Sequence, residues 1–189
     1  MRISRSGLGH NRRVMLSRPP ALETPRLRLV VLEAAELSAL IAGDTTQASE
    51  RAGIIFPAGW PTDPDGRDGL PWHRGYLERD EAQRAFRVRA VVDRGNAQVI
   101  GAVSLKGPPD RLGLIEIGWG IDPQYQLQGF AVEAATALAN WASAQLGFKA
   151  LIATIPDHNL PSQRVAARIG MSRTLETRRD LPVWLRAAP

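Results

Sequence analysis

The chain has 189 residues, 44% of them hydrophobic and 23% charged, with a net charge of +5 and no cysteine. That length buries a core in one domain without disulfides or a structural metal, and the lack of cysteine excludes disulfides, thiolate metal sites and a cysteine nucleophile. No apolar run approaches a membrane span, and the basic excess is local: Arg2, Arg5, Arg12, Arg13 and Arg18 lie in the first twenty residues, which hold no acid, so the remaining chain is charge-balanced.

Residues 1–20 therefore read as a basic, flexible extension without the continuous apolar segment of a secretory signal. Residues 21–189 read as a single domain in a cytoplasmic setting. The neutral body argues against specific nucleic-acid binding. Pro25 to Leu32 alternates as a strand, with Leu27 and Leu29 on one face and Arg26 and Arg28 on the other, and is expected at one edge of a sheet. Glu33 to Ala42 carries Leu37, Leu40 and Ile41 at helical spacing, and Asp44 is placed to cap a short helix through Arg51. Gly53 to Leu70 is punctuated by Pro57, Gly59, Pro61, Pro64 and Gly66 and reads as loop. Trp60 within it is either core or pocket lining.

Pro71 to Arg84 reads as a helix, with His73 expected at the surface or in a structural hydrogen bond. Phe86 to Asp93 and Gln98 to Leu105 make two strands joined at Arg94-Gly95-Asn96, a hairpin signal. Leu114 to Ile121 alternates with Ile115, Ile117, Trp119 and Ile121 on one face and Leu114, Glu116, Gly118 and Gly120 on the other. Two glycines on one strand face leave room for a close approach by a ligand or another backbone. An alanine-rich helix follows from Ala131, with Gly147 as its stop. The loop before it ends at Gly129, so the helix start offers unpaired N–H groups and positive dipole charge to an anion. Lys149 to Ile155 reads as a buried strand that a helix crossover sets parallel to the Glu116 strand. Asn159 caps a further helix closed by Gly170, and a hairpin of Ser172 to Thr177 and Leu181 to Leu185 ends the chain with Trp184 as its core anchor.

Three stretches carry a resemblance. Gln126-Leu127-Gln128-Gly129-Phe130-Ala131 is similar to the Gln/Arg-x-x-Gly-x-Gly/Ala signature of the GCN5-related N-acetyltransferases. Asn159-Leu160-Pro161-Ser162, running to Ala167-Arg168-Ile169-Gly170-Met171, resembles that family's Asn-x-x-Ser helix and closing Gly-Phe. Leu22-Glu23-Thr24-Pro25-Arg26-Leu27-Arg28-Leu29 resembles the opening strand of its branch that acetylates ribosomal-protein N-termini. Leu127 stands where the family has glycine, Gln128 where it has a basic residue and Met171 where it has phenylalanine.

The resemblance implies an α+β fold, with a mixed, largely antiparallel sheet of six or seven strands splayed at the Glu116 strand and four or five flanking helices. It implies acetyl-coenzyme A as cosubstrate in that splay, held by Ile117, Gly118, Trp119, Gln124, Gln126, Leu127, Gln128, Gly129, Phe130, Ala131, Asn159 and Ser162. The acceptor it implies is a primary amine, either a protein N-terminus or a small molecule. No metal is expected, and monomer and homodimer both stay open.

Amide formation needs a neutral amine, whereas ammonium groups have reference pKa values of about 8 to 10.4, so a proton acceptor is required. Glu116 is the candidate base, directly or through water, because it is the carboxylate on the glycine face; its alternative is a structural carboxylate paired with an arginine. Ser162 matches the family position that serves the departing thiolate; its alternative is to satisfy the helix start. Arg164 and Arg168 either reach coenzyme phosphates or face solvent. The departures at Leu127 and Gln128 leave open a non-catalytic acyl-coenzyme A sensor or interaction module.

Overall fold

The computed structural model describes residues 19–79 and 86–188; most of the basic extension and the tail of the Pro71–Arg84 segment lie outside that range. The elements are β1 (Leu22–Glu23), β2 (Leu27–Val31), α1 (Ala34–Ile41), α2 (Thr45–Ala52), α3 (Pro64–Arg79), β3 (Arg89–Asp93), β4 (Val99–Leu105), β5 (Leu114–Ile121), a 3-10 turn (Pro123–Tyr125), α4 (Phe130–Gln145), β6 (Ala150–Thr154), α5 (Leu160–Arg168), β7 (Ser172–Arg178) and β8 (Leu181–Ala187). This is the expected α+β architecture, with eight strands rather than six or seven. They form one sheet in the order β1-β2-β3-β4-β5-β6-β8-β7.

Every neighbouring pair is antiparallel except β5 and β6, which the α4 crossover sets parallel. That pair holds register for only three positions, Leu114↔Ala150, Ile115↔Leu151 and Glu116↔Ile152. Beyond Glu116 the strands part, and β5 continues alone on that side to Ile121.

The sheet has a hydrophobic layer on each face, as a sheet flanked by helices on both sides requires. On one, Leu27, Leu29, Ile100, Leu105, Ile115 and Ile117 meet the small-residue face of α4 (Ala134, Ala135, Leu138, Ala142) and Ala166 of α5. On the other, Val30, Leu32, Ala90 and Val92 meet Leu37 and Leu40 of α1, Ala48 and Ala52 of α2, and Leu70 and Leu77 of α3. Trp60 joins this second layer at 3% exposure, against Phe56 with ring centroids 5.0 Å apart.

Helix starts follow the expected chemistry. The Asp44 side chain accepts from Gln47 N at 2.8 Å, and the Asn159 side chain accepts from Ser162 N at 3.1 Å. Three features differ from the sequence reading. Strand β2 is not the edge, because Leu22 and Glu23 pair outside it. Helix α3 begins at Pro64, inside the stretch read as loop: Asp63 accepts from Gly66 N at 2.8 Å, and Pro64 occupies the first turn, where its missing N–H costs nothing. Pro71 then lies within the helix, which its buried Leu70 and Leu77 hold against the sheet. Helix α4 stops through extended Leu146, not a left-handed Gly147. In the β3–β4 turn the left-handed residue is Ala97 (φ 59), while Asp93 Oδ1 and Asn96 Oδ1 accept from Gly95 N and Gln98 N.

Gly101 fixes the β4–β5 contact. A Cβ there would lie 2.2 Å from the Gly120 carbonyl oxygen and 2.9 Å from Ile121 Cα, both backbone atoms. Gly101→Ala is expected to destabilise the fold by roughly 1–3 kcal/mol, read as a lower urea midpoint at unchanged slope; an unchanged midpoint would contradict this account of the contact.

Candidate active site

A cleft of about 1380 Å³ opens where β5 and β6 part. One wall is α3 and the turn before it, with Trp60, Leu70, Trp72, His73 and Tyr76. The floor is Ser104 and Lys106 of β4 and its exit with Glu116, Gly118 and Gly120 of β5, and the far wall is Gln126, Leu127 and residues 129–132 with the start of α5. Strand alternation puts Ile115 and Ile117 in the α4 layer and so turns Glu116 and the glycines to the cleft.

Glu116 is 9% exposed and heavily bound. Lys106 Nζ donates to Oε1 at 2.6 Å, and Thr154 Oγ1 to the same oxygen at 2.9 Å. Arg179 Nη2 donates to both oxygens, at 2.9 and 2.7 Å. Burial alone would raise its carboxyl pKa, but the Lys106 hydrogen bond and charge, the Thr154 hydroxyl and the Arg179 charge outweigh it and hold the group below its ordinary 4.5. Glu116 is thus anionic at neutral pH.

Around this pair lie two further perturbed groups. His73 is buried at 9% exposure, with no partner for Nδ1. Burial first, then the charges of Arg87 and Lys106, lower it from 6.5 to about 4, so the imidazole is neutral at pH 7. It is neither at the surface nor in the structural hydrogen bond expected of it. Asp122, at the end of β5, accepts from Thr62 Oγ1 at 3.0 Å, and burial and the charge of Asp63 raise its pKa.

The start of α4 supplies the donors. Its cap is Gly129, left-handed at φ 83 and without a side chain to satisfy the first turn. Among the described residues no acceptor meets the N–H groups of Gly129, Phe130, Ala131 and Val132, and all four residues line the cleft. Four unpaired donors at the positive end of a helix form an anion site. Leu127 keeps the left-handed backbone (φ 62) that a glycine would adopt freely, and its side chain is 97% exposed.

On the opposite lip, Asn159 uses its side-chain oxygen as the α5 cap, which leaves its NH2 to donate to a ligand. Ser162 is half-buried and also lines the cleft.

Of the residues singled out in the sequence, Glu116, Gly118, Trp119, Gln126, Leu127, Gly129, Phe130, Ala131, Asn159 and Ser162 meet in this one cleft. Ile117 is 2% exposed with its side chain in the core and does not line the cleft. Gln124 and Gln128 are exposed beside the cleft and bonded to each other, Gln128 Nε2 to Gln124 O at 3.4 Å. Arg164 and Arg168 are exposed at its rim. Lys106, Thr154 and Arg179 were missed. They lie 10, 38 and 63 residues from Glu116 in sequence, and only the register of β4, β6 and β8 brings them there.

Known proteins resemble this chain in sequence and in fold. The sequence pattern of the acetyltransferase (GNAT) domain matches residues 26–172. YjdG of Bacillus subtilis (strain 168), an uncharacterized N-acetyltransferase, is 31% identical over 149 residues, covering 79% of this chain and 88% of its own. An acetyltransferase structure from Agrobacterium tumefaciens C58 superposes with a TM-score of 0.63 at 24% identity, covering 97% of this chain and 99% of that one. The RimL ribosomal L7/L12 α-N-protein acetyltransferase, solved with coenzyme A, superposes at 0.60 and 14% identity over 88% and 97% of the two chains; at those identities the two structures speak for the fold. By its domain pattern and its curated relative, the chain belongs to the GCN5-related N-acetyltransferase (GNAT) family.

Proposed function

We propose that the chain transfers acetyl from acetyl-coenzyme A to a primary amine in a ternary complex. The observation that carries this is the row of four unpaired N–H groups at the start of α4, on the wall of a cleft that also holds Glu116. In this reading the coenzyme's pyrophosphate sits on those donors. Its pantetheine arm runs into the gap between β5 and β6, meeting the Asn159 NH2. The acceptor enters from the α3 side, past Trp60, Trp72 and His73.

The amine's lone pair attacks the thioester carbonyl carbon, the C–S bond breaks, the nitrogen loses a proton and the sulfur leaves as thiolate or thiol. Nitrogen becomes far more acidic once it has bonded to carbon, so even a carboxylate of lowered pKa accepts the proton, directly or through water. Before that, the Glu116 anion attracts the acceptor's ammonium, which takes over part of the seat now held by Arg179 and releases its first proton to solvent by relay through Glu116 and water, leaving the neutral nitrogen that attacks. Ser162 donates toward the departing sulfur. With no cysteine in the chain, direct attack by the amine replaces an acyl-cysteine intermediate. A protein N-terminus is the favoured acceptor, supported by the Thr24-Pro25-Arg26-Leu27 opening strand and by the fold shared with RimL.

A second reading, an acyl-coenzyme A-binding sensor, is favoured by the double clamp of Lys106 and Arg179 on Glu116. Turnover on a panel of N-terminal peptides and small amines separates the two.

With an acceptor from that panel, Glu116→Gln is expected to lower turnover about a hundredfold at pH 7. The loss shrinks toward pH 10, where the free amine predominates. Equal wild-type and variant rates across that range would remove Glu116 from the chemistry. Ser162→Ala should lower turnover about tenfold at unchanged acetyl-coenzyme A affinity; an unreduced rate would rule out its role at the thiolate.

A further inference from the structure

Arg26 lies outside the cleft lining, yet it bonds both the loop before α4 and the first turn of that helix. Its Nε donates to Glu133 Oε2 at 2.7 Å, its main-chain N to Glu133 Oε1 at 2.9 Å and its Nη1 to the Gln128 carbonyl at 3.0 Å. The guanidinium carbon stands 4.3 Å from the centre of the Phe130 ring. Nη2 lies 3.5 Å from where a Gly129 Cβ would be. Thr24 Oγ1 completes the joint with a 2.6 Å bond to Glu133.

The consequence follows from peptide geometry. In a planar trans peptide the C=O of one residue and the N–H of the next point in opposite directions. Arg26 holds the Gln128 carbonyl on its own side, so the Gly129 N–H points away from it, toward the cleft. The same guanidinium neutralises Glu133, whose carboxylate in the first turn would otherwise repel a phosphate at the neighbouring N–H groups.

Resting on the coenzyme reading above, we propose that Arg26 is a positioning residue for the coenzyme's phosphates. It sets the donor row of α4 from behind and stands in for the cation that Gln128 does not supply within the loop. The β1–β2 turn is thereby part of the binding machinery, although it contributes nothing to the cleft surface.

The test is calorimetric titration of coenzyme A into the wild type, Arg26→Gln and Arg94→Gln, with a thermal melt of each. Arg94 holds the same turn, donating to Thr24 O at 2.6 Å, and has no bond to the loop among the described residues, so it reports turn stability alone. Arg26→Gln is expected to weaken coenzyme A roughly tenfold, and Arg94→Gln less than about twofold. Adding Glu133→Gln to Arg26→Gln should recover part of the loss, since it removes the exposed carboxylate. Should Arg26→Gln fail to fold, Arg26→Lys keeps the charge but cannot bridge Gln128 and Glu133, and is expected to bind several-fold more weakly. Wild-type affinity in the folded Arg26 variant, or equal losses in the Arg26 and Arg94 variants, would overturn the inference while leaving the coenzyme reading intact. A wild type that does not bind coenzyme A would overturn both.

Discussion

The point on which the structure turns is the end of β5–β6 pairing at Glu116. Three rungs of parallel ladder bring two strands together, and beyond them the pairing stops, with the Thr154 hydroxyl on Glu116 bridging the point of parting. Parallel strands buried on both faces ordinarily continue as paired hydrophobic runs. Here β5 gives up its side chains on one face, at Gly118 and Gly120, just where its partner leaves. The opening is framed by elements that are themselves rigid. Helix α4 is bound to the sheet by its alanines, α5 is capped by Asn159, and β4 is pressed against β5 at Gly101. A ligand that fills the gap meets preformed backbone and moves little of the core.

Electrostatics at the apex follow from the same geometry. A carboxylate taken to 9% exposure is costly unless paired, and the described chain supplies two cations and a hydroxyl to it from three different elements. Arg179 is the looser of the cations: its side chain is 65% exposed, against 39% for Lys106, and it sits at a turn where it and Asp180 both take left-handed backbone. A pair with one solvent-exposed member exchanges partners more cheaply than a fully buried one. The arrangement therefore suits a site that receives a cation. Burial keeps the His73 imidazole neutral, with the charges of Arg87 and then Lys106 adding to it, so the α3 wall facing the apex carries no positive charge on His73 to repel an ammonium.

What was legible in the sequence was what is local. The alternation of Leu114 to Ile121, the alanine stripe of α4, the Asn159 cap and the glycine before α4 each act over a few residues, and together they located the cleft. At Glu116 the arginine pairing of the structural alternative is present, and the carboxylate also faces the cleft, where the base role is a matter for the turnover test. The first part of helix α3 was hidden because Pro64 and Gly66 read as loop and Pro71 as a helix start, while the burial of Leu70 and Leu77 that carries the helix through Pro71 is tertiary. The β3–β4 turn was placed correctly; that its left-handed residue is Ala97 was not legible, since the Asp93 and Asn96 side chains hold the turn. Arg26 and Arg179 reach partners 107 and 63 residues away; no spacing rule covers such pairs.

The central claim is that the open end of β5 and the bare start of α4 form one acyl-coenzyme A site. Calorimetric titration of acetyl-coenzyme A into the wild type and into Ala131→Glu tests it most directly. Ala131 is a helical, cleft-lining residue where a longer side chain is conformationally tolerated and adds an anion at the proposed phosphate seat. The account predicts one site per chain in the wild type and at least a tenfold loss in an Ala131→Glu protein of unchanged melting behaviour, about 1.4 kcal/mol or more. A wild type that does not bind, or a variant that binds equally well, would contradict it.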